Sequence, residues 1–317
     1  MHKWLLALLM LGSTAHAAGV DAVSSGRLQL KAGEMAVGIG PAPEKIERVV
    51  IVIHGRLRNA ETYRKSAESA TEMAGQSNHT LVIAPQFLNE SDVALYSLPE
   101  TLLRWQGNEW MGGGLSIGPN PLSSYAALDE IVARVSDRKQ FPDVKQVVIF
   151  GHSGGAQVVQ RYALLAKDQP ALKTNGIRLR YVVANPSSYA YFNEQRPVAF
   201  DHAACPGFNR WKYGLADMPV YAGGQTPLQV ESRYVKREVI YLLGQQDTDP
   251  EHPALDKSCA AEAQGAYRLM RGKLYFGYLL RRHPEGVNQR LIEVPGVGHN
   301  GDEMLTSAEG QKALFDQ

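Results

Sequence analysis

What this chain lacks narrows it first. Its 33 basic and 32 acidic residues nearly cancel, leaving a formal charge of +1. No basic run exceeds Arg281-Arg282-His283, which reads as a solvated helix end. That balance argues against a nucleic-acid surface. No internal repeat or low-complexity segment is present. His202, His252 and His283 make no metal cluster, and Glu251-His252 has no second ligand at helical spacing, so neither a metal nor a cofactor is called for. Cysteine is scarce: Cys205 and Cys259 are the only two, and one intramolecular pairing exists.

What is present begins with a targeting pattern. Lys3 gives residues 1–17 a positive start, Trp4 to Leu11 an apolar stretch, and Ala15-His16-Ala17 a small-residue cleavage site. The apolar stretch is too short to span a bilayer, and no cysteine follows it to carry a lipid. The expectation is a mature chain that starts at Ala18, works in the periplasm or outside the cell, and does not stay inserted in a membrane. In such an oxidising compartment Cys205 and Cys259 are expected to form a disulfide. Closing that loop contributes about 4 kcal/mol in the chain-entropy model.

Apolar β-branched runs alternate with helical patterns, which predicts a mostly parallel sheet covered by helices. Strands are read from Arg48 to Ile53, Thr80 to Pro85, Gln146 to Phe150, Tyr181 to Ala184, Val239 to Leu243 and Leu291 to Val294. Helices fall near residues 61–74, 123–136 and 154–167. In the last of these Val158, Val159, Tyr162, Leu165 and Ala166 form a core-facing stripe. Two stretches, residues 89–122 and 187–237, break the alternation and read as insertions. They carry Trp105, Trp110, Tyr189, Tyr191, Phe192, Phe208, Trp211, Tyr213 and Tyr221. Most of these rings are expected to pack the insertions onto the body, and a minority to line a pocket.

Chemistry concentrates at Gly151-His152-Ser153-Gly154-Gly155, between a strand and a helix. A serine between glycines at such a turn is held out of the sheet on a backbone that a side chain would oppose. The helix that follows turns its positive end toward a developing oxyanion. A serine hydroxyl needs a base, and the base needs an orienting carboxylate. Gly244-Gln245-Gln246-Asp247 and Gly296-Val297-Gly298-His299 each follow a strand at the edge where open parallel sheets bind ligands. Asp249 competes with Asp247, but it precedes Pro250 and suits a turn cap. His54-Gly55-Arg56 ends an earlier strand, where the Arg56 N–H joins the Gly154 N–H as an oxyanion donor and His54 is structural. His152 is expected to point away from the triad.

The order Ser153, Asp247, His299, with His54-Gly55 ahead of it, resembles that of the α/β-hydrolase superfamily. Within it the chain is similar to exported esterases of the polyhydroxyalkanoate-depolymerase and feruloyl-esterase kind. The resemblance implies an eight-stranded, mostly parallel sheet with helices on both faces in a single domain over residues 18–317, and a cap-like insertion near residues 187–237. It implies catalysis by Ser153, Asp247 and His299 on a small-molecule or oligomeric ester. No adsorption module for a solid polymer is visible. The same triad serves peptidases, amidases and thioesterases, and a non-catalytic binding protein on this scaffold is the alternative from another class. The sequence leaves the oligomeric state open.

Overall fold

The computed structural model describes residues 20–118 and 120–316. The predicted targeting segment, residues 1–17, lies outside them. Eight strands form the main sheet: β1 (Gly26–Leu30), β2 (Gly33–Ile39), β3 (Arg48–Ile53), β4 (Thr80–Pro85), β5 (Gln146–His152), β6 (Arg178–Ala184), β7 (Glu238–Gly244) and β8 (Gln289–Val294). Their order across the sheet is β1-β2-β4-β3-β5-β6-β7-β8. Only β2 runs against its neighbours, β1 and β4; the remaining pairs are parallel.

The central strands are apolar at nearly every position because both faces are covered. Along β3 the side chains alternate between two cores. Val49, Ile51 and Ile53 face a cluster with helices α2 (Ser124–Val135), α3 (Gly154–Leu165) and α4 (Arg268–Arg282). Val50 and Val52 face a second cluster with α1 (Ala60–Met73), α5 (Gly301–Thr306) and α6 (Ala308–Phe315). The predicted stripe on α3 is buried in the first of these.

The layering positions the site. Neighbouring strands β3 and β5 send their following helices, α1 and α3, to opposite faces of the sheet. The chain therefore parts at the carboxyl ends of those two strands and opens a crevice there.

The two irregular stretches meet on one side of that crevice. Residues 88–117 contribute three two-residue strands and the turn Glu109–Gly112. Trp105 and Trp110 are fully buried beneath them. Tyr189 and Tyr191 pack on Tyr275 of α4, with ring centroids 4.5 and 5.1 Å apart. Trp211 Nε1 donates to the Gly112 carbonyl at 2.6 Å, tying one stretch to the other. Cys205 and Cys259 are joined by a disulfide that fastens the second stretch to the short helix Cys259–Glu262. No helix among the described residues is long and apolar enough to cross a membrane.

Candidate active site

Ser153 stands between the end of β5 and the first turn of α3. Its backbone lies at φ 57°, ψ −117°, a region that costs a non-glycine residue about 1–3 kcal/mol. Close packing around it enforces the turn. A Cβ on Gly151 would meet the Gly155 carbonyl oxygen at 2.2 Å, and one on Gly155 would meet that of Ile53 at 2.2 Å. The glycines flanking this serine are therefore required by backbone contact.

His299 Nε2 lies 3.0 Å from Ser153 Oγ. His299 Nδ1 lies 2.7 Å from Asp247 Oδ2. The three residues, from the ends of β5, β7 and β8, thus form one hydrogen-bonded line. Asp249 is outside it: this residue is exposed and its Oδ1 accepts the Glu251 N–H at 2.8 Å, a turn cap.

The loops that carry Asp247 and His299 are pinned together by Asn185, the residue that follows β6. Its Oδ1 accepts the Gly244 N–H at 2.9 Å and its Nδ2 donates to the Gly298 carbonyl at 3.1 Å. It adopts φ 50° to do so, which asparagine tolerates better than most residues.

Arg268 is a residue that sequence reading misses. Fully buried at the start of α4, it donates to Asp247 Oδ1 at 3.2 Å. With His299 on one carboxylate oxygen and Arg268 on the other, Asp247 has a single orientation. Burial, and next the Arg268 guanidinium, hold the nearby His252 imidazole below its ordinary value. The Nδ1 of that ring accepts the Ala254 N–H at 3.1 Å, and its centroid lies 5.0 Å from that of His299.

His152 departs from expectation. Instead of turning away, its ring packs against His299 at a centroid distance of 4.6 Å. Its Nδ1 lies 2.8 Å from the Tyr63 hydroxyl. Burial, then the charge on His299 and Arg268, pushes its titration well below the usual histidine range. A neutral ring beside His299 does not repel the imidazolium that proton transfer would create.

The loop after β3 supplies the facing backbone. A Cβ built on Gly154 would come within 3.0 Å of the Arg56 nitrogen, so this loop packs tightly against the start of α3. Arg58 anchors this loop through a buried pair with Asp92, 2.6 Å from Nε to Oδ2 and 3.0 Å from Nη2 to Oδ1.

His54 is structural: its Nε2 accepts the Phe87 N–H at 2.9 Å, which leaves Nδ1–H to donate to the Gly55 carbonyl at 2.8 Å. Burial lowers its pKa to about 4. The unfolded chain therefore binds the proton first, and stability falls as pH drops from about 6.5 toward 4. The loss is on the order of 3 kcal/mol by pH 4. His54→Gln is expected to flatten this part of the Tm-against-pH curve, which thermal melts across that window measure.

Two clefts border Ser153, of about 420 and 250 Å³. Of the nine aromatic rings named in the two insertions, only Tyr213 and no other lines either cleft among the described residues. The cleft walls mix polar side chains such as Asn59, Gln157 and Asn300 with apolar ones such as Leu57, Met111 and Leu255.

Comparison with solved structures identifies the architecture. The poly(3-hydroxybutyrate) depolymerase LpqC from Bordetella parapertussis superposes with a TM-score of 0.65 at 23% identity, over 90% of this chain and 85% of that one. Poly(aspartic acid) hydrolase-1 from Sphingomonas sp. KT-1 gives a TM-score of 0.65 at 24% identity, over 92% and 99%. The fold is that of the α/β-hydrolases. No known family profile and no curated protein sequence matches the chain. In this α/β-hydrolase fold the crevice at β3 and β5 is where Ser153, His299 and Arg56 converge.

Proposed function

We propose that this α/β-hydrolase-fold protein is an exported serine hydrolase that cleaves an ester through Ser153, His299 and Asp247. The observation that carries the reading is the unbroken line from Ser153 Oγ through both ring nitrogens of His299 to Asp247, at 3.0 and 2.7 Å. Export is supported by the pattern in residues 1–17 and by the Cys205–Cys259 disulfide. The two solved neighbours named as a depolymerase and a hydrolase share the fold, which is in keeping with hydrolysis.

In the first half-reaction Ser153 Oγ attacks the acyl carbon as His299 Nε2 takes its proton. Asp247 holds the Nδ1–H tautomer and stabilises the imidazolium. Negative charge gathers on the carbonyl oxygen, and the Arg56 and Gly154 N–H groups are assigned as its donors. The C–O bond to the leaving alcohol then breaks, and His299 returns its proton to that alcohol. A water molecule, deprotonated by the same histidine, attacks the acyl-serine; the acyl C–Oγ bond breaks, the acid leaves and His299 returns the proton to Ser153 Oγ.

A panel with one acyl group and three leaving groups tests the reaction class. The oxygen ester is expected to give the highest kcat/KM, ahead of the matched thioester and at least roughly 10³-fold ahead of the anilide. An anilide cleaved faster than the ester contradicts ester hydrolysis and favours an amidase.

A further inference from the structure

The two clefts divide the substrate. Both include Ser153 and Arg56, but only the larger runs over His299, Tyr63 and Asn300. The smaller leaves Ser153 on the other side and follows α3 from Gly154 past Gln157 to Arg161. Because the histidine must hand its proton to the departing group, the leaving group lies on the side of His299 and the acyl group on the side of Gly154. This division rests on the serine-hydrolase reading above.

The smaller cleft is lined by three cations, Arg56, Arg161 and Lys212, against one carboxylate, Asp256. Asp256 is already engaged, accepting from the Tyr213 hydroxyl at 2.8 Å and the Ser258 N–H at 2.9 Å. Arg161 is only 1% exposed. Its hydrogen bonds go to the carbonyls of Lys212 and Met111, to Gln157 Oε1 and to Ser188 Oγ, all uncharged acceptors. Among the described residues no carboxylate lies within ion-pair distance of it. Neutral acceptors satisfy the geometry of a guanidinium without cancelling its charge, and a buried cation without a counterion is costly to hold.

Lys212 shows a second unusual expense. Its backbone adopts φ 98°, a conformation that a lysine holds only when its surroundings enforce it. Its stem lies on Gly112, where a Cβ would come within 2.7 Å of Lys212 Cε. Its Nζ pairs at 3.0 Å with Glu109, whose side chain is 56% exposed and so belongs to the rim. Its carbonyl receives Arg161 Nε. The two cations are thus held as a unit at the end of the cleft away from Ser153.

Arg161 stands eight residues beyond Ser153, about 12 Å along the helix axis. Its side chain leans back toward the helix start, as the 2.9 Å bond to Gln157 shows. A four-methylene spacer places a terminal carboxylate carbon roughly 6 Å from the acyl carbon, and its contact to the guanidinium adds about 3 Å, which together stay within that rise.

We propose that the cleft beside Gly154 selects an acyl group ending in a carboxylate, which Arg161 and Lys212 bind at the far end from Ser153. The substrate class is a monoester of a dicarboxylic acid or an acyl unit carrying a terminal acid. Burial pushes the Arg161 guanidinium below its ordinary value, only partly opposed by Tyr125, Tyr213 and the more distant Asp256 and Glu109 carboxylates, a penalty that a bound carboxylate relieves further.

The test compares kcat/KM for the p-nitrophenyl monoester of adipic acid with that for the p-nitrophenyl ester of adipamic acid. The two differ only in a terminal carboxylate against a carboxamide. The wild type is expected to favour the carboxylate by roughly tenfold or more, and Lys212→Gln to reduce that ratio by roughly fivefold. Free adipate is expected to inhibit competitively where adipamide does not. Arg161→Met is expected to reduce the ratio further where it folds; the wild-type and Lys212→Gln measurements stand without it. A wild-type ratio of one or below overturns the proposal and leaves the serine chemistry intact. A ratio unmoved in Lys212→Gln also overturns it. Hydrolysis of neither ester overturns it as well, and failure of Ser153 to react with a fluorophosphonate then overturns the serine-hydrolase reading with it.

Discussion

Ser153→Ala is expected to lower kcat/KM on a p-nitrophenyl ester by roughly 10⁴- to 10⁶-fold. The hydroxyl at 3.0 Å from His299 Nε2 is the only one hydrogen-bonded to that nitrogen among the described residues. Removing it leaves the imidazole with no oxygen to activate in the first half-reaction. What survives, about 10³-fold over water, comes from the backbone donors and substrate binding. Stability is expected to change little. Alanine must adopt the same φ of 57° and makes the same backbone bond from residue 153 to the Ala184 carbonyl. A melting curve close to wild type, beside lost turnover, separates loss of chemistry from loss of fold.

Asp247→Asn is expected to produce the second largest loss, about 10⁴-fold in kcat. An amide facing Nδ1 with its NH₂ group favours the tautomer with the proton on Nε2, which cannot accept from serine. The variant also removes the ion pair to Arg268, leaving a buried guanidinium uncompensated. That is expected to cost about 3–5 kcal/mol of stability, so the assay belongs well below the variant's own melting temperature. Asp249→Asn is the matched control. It carries an exposed carboxylate that caps a turn, and its kcat is expected to stay within about twofold of wild type.

These losses fall on residues whose positions are readable from the chain. Strands β3, β5 and β7 are buried on both faces, so each appears as an uninterrupted apolar run, and the residue that follows each run necessarily falls at one edge of the sheet. Ser153, Asp247 and the His54-Gly55-Arg56 loop are all of this kind. The hairpin of β1 and β2 is not. Gly26-Arg27-Leu28-Gln29-Leu30 lies at the sheet margin with Arg27 and Gln29 exposed, and so carries no continuous apolar signal.

The surroundings of the site are hidden for a different reason. Arg268, His252 and Asn185 act through contacts with residues 21, 47 and 113 positions away. An arginine in an amphipathic helix ordinarily reads as a solvated side chain, and nothing local marks Arg268 as the partner of Asp247. His152 packs against His299 because β5 runs two residues past Phe150 before turning. Most rings of the two insertions pack as expected for aromatic side chains, and of the nine Tyr213 lines the smaller cleft.

A fluorophosphonate probe tests the central claim most directly. It mimics the tetrahedral intermediate and forms a stable bond only to a serine activated by its base and placed beside an oxyanion site. Mass spectrometry of the digested, labelled protein is predicted to show one stoichiometric adduct on Ser153, formed in step with loss of esterase activity and absent from His299→Ala. An adduct on another residue, or activity that persists in fully treated protein, would contradict the account.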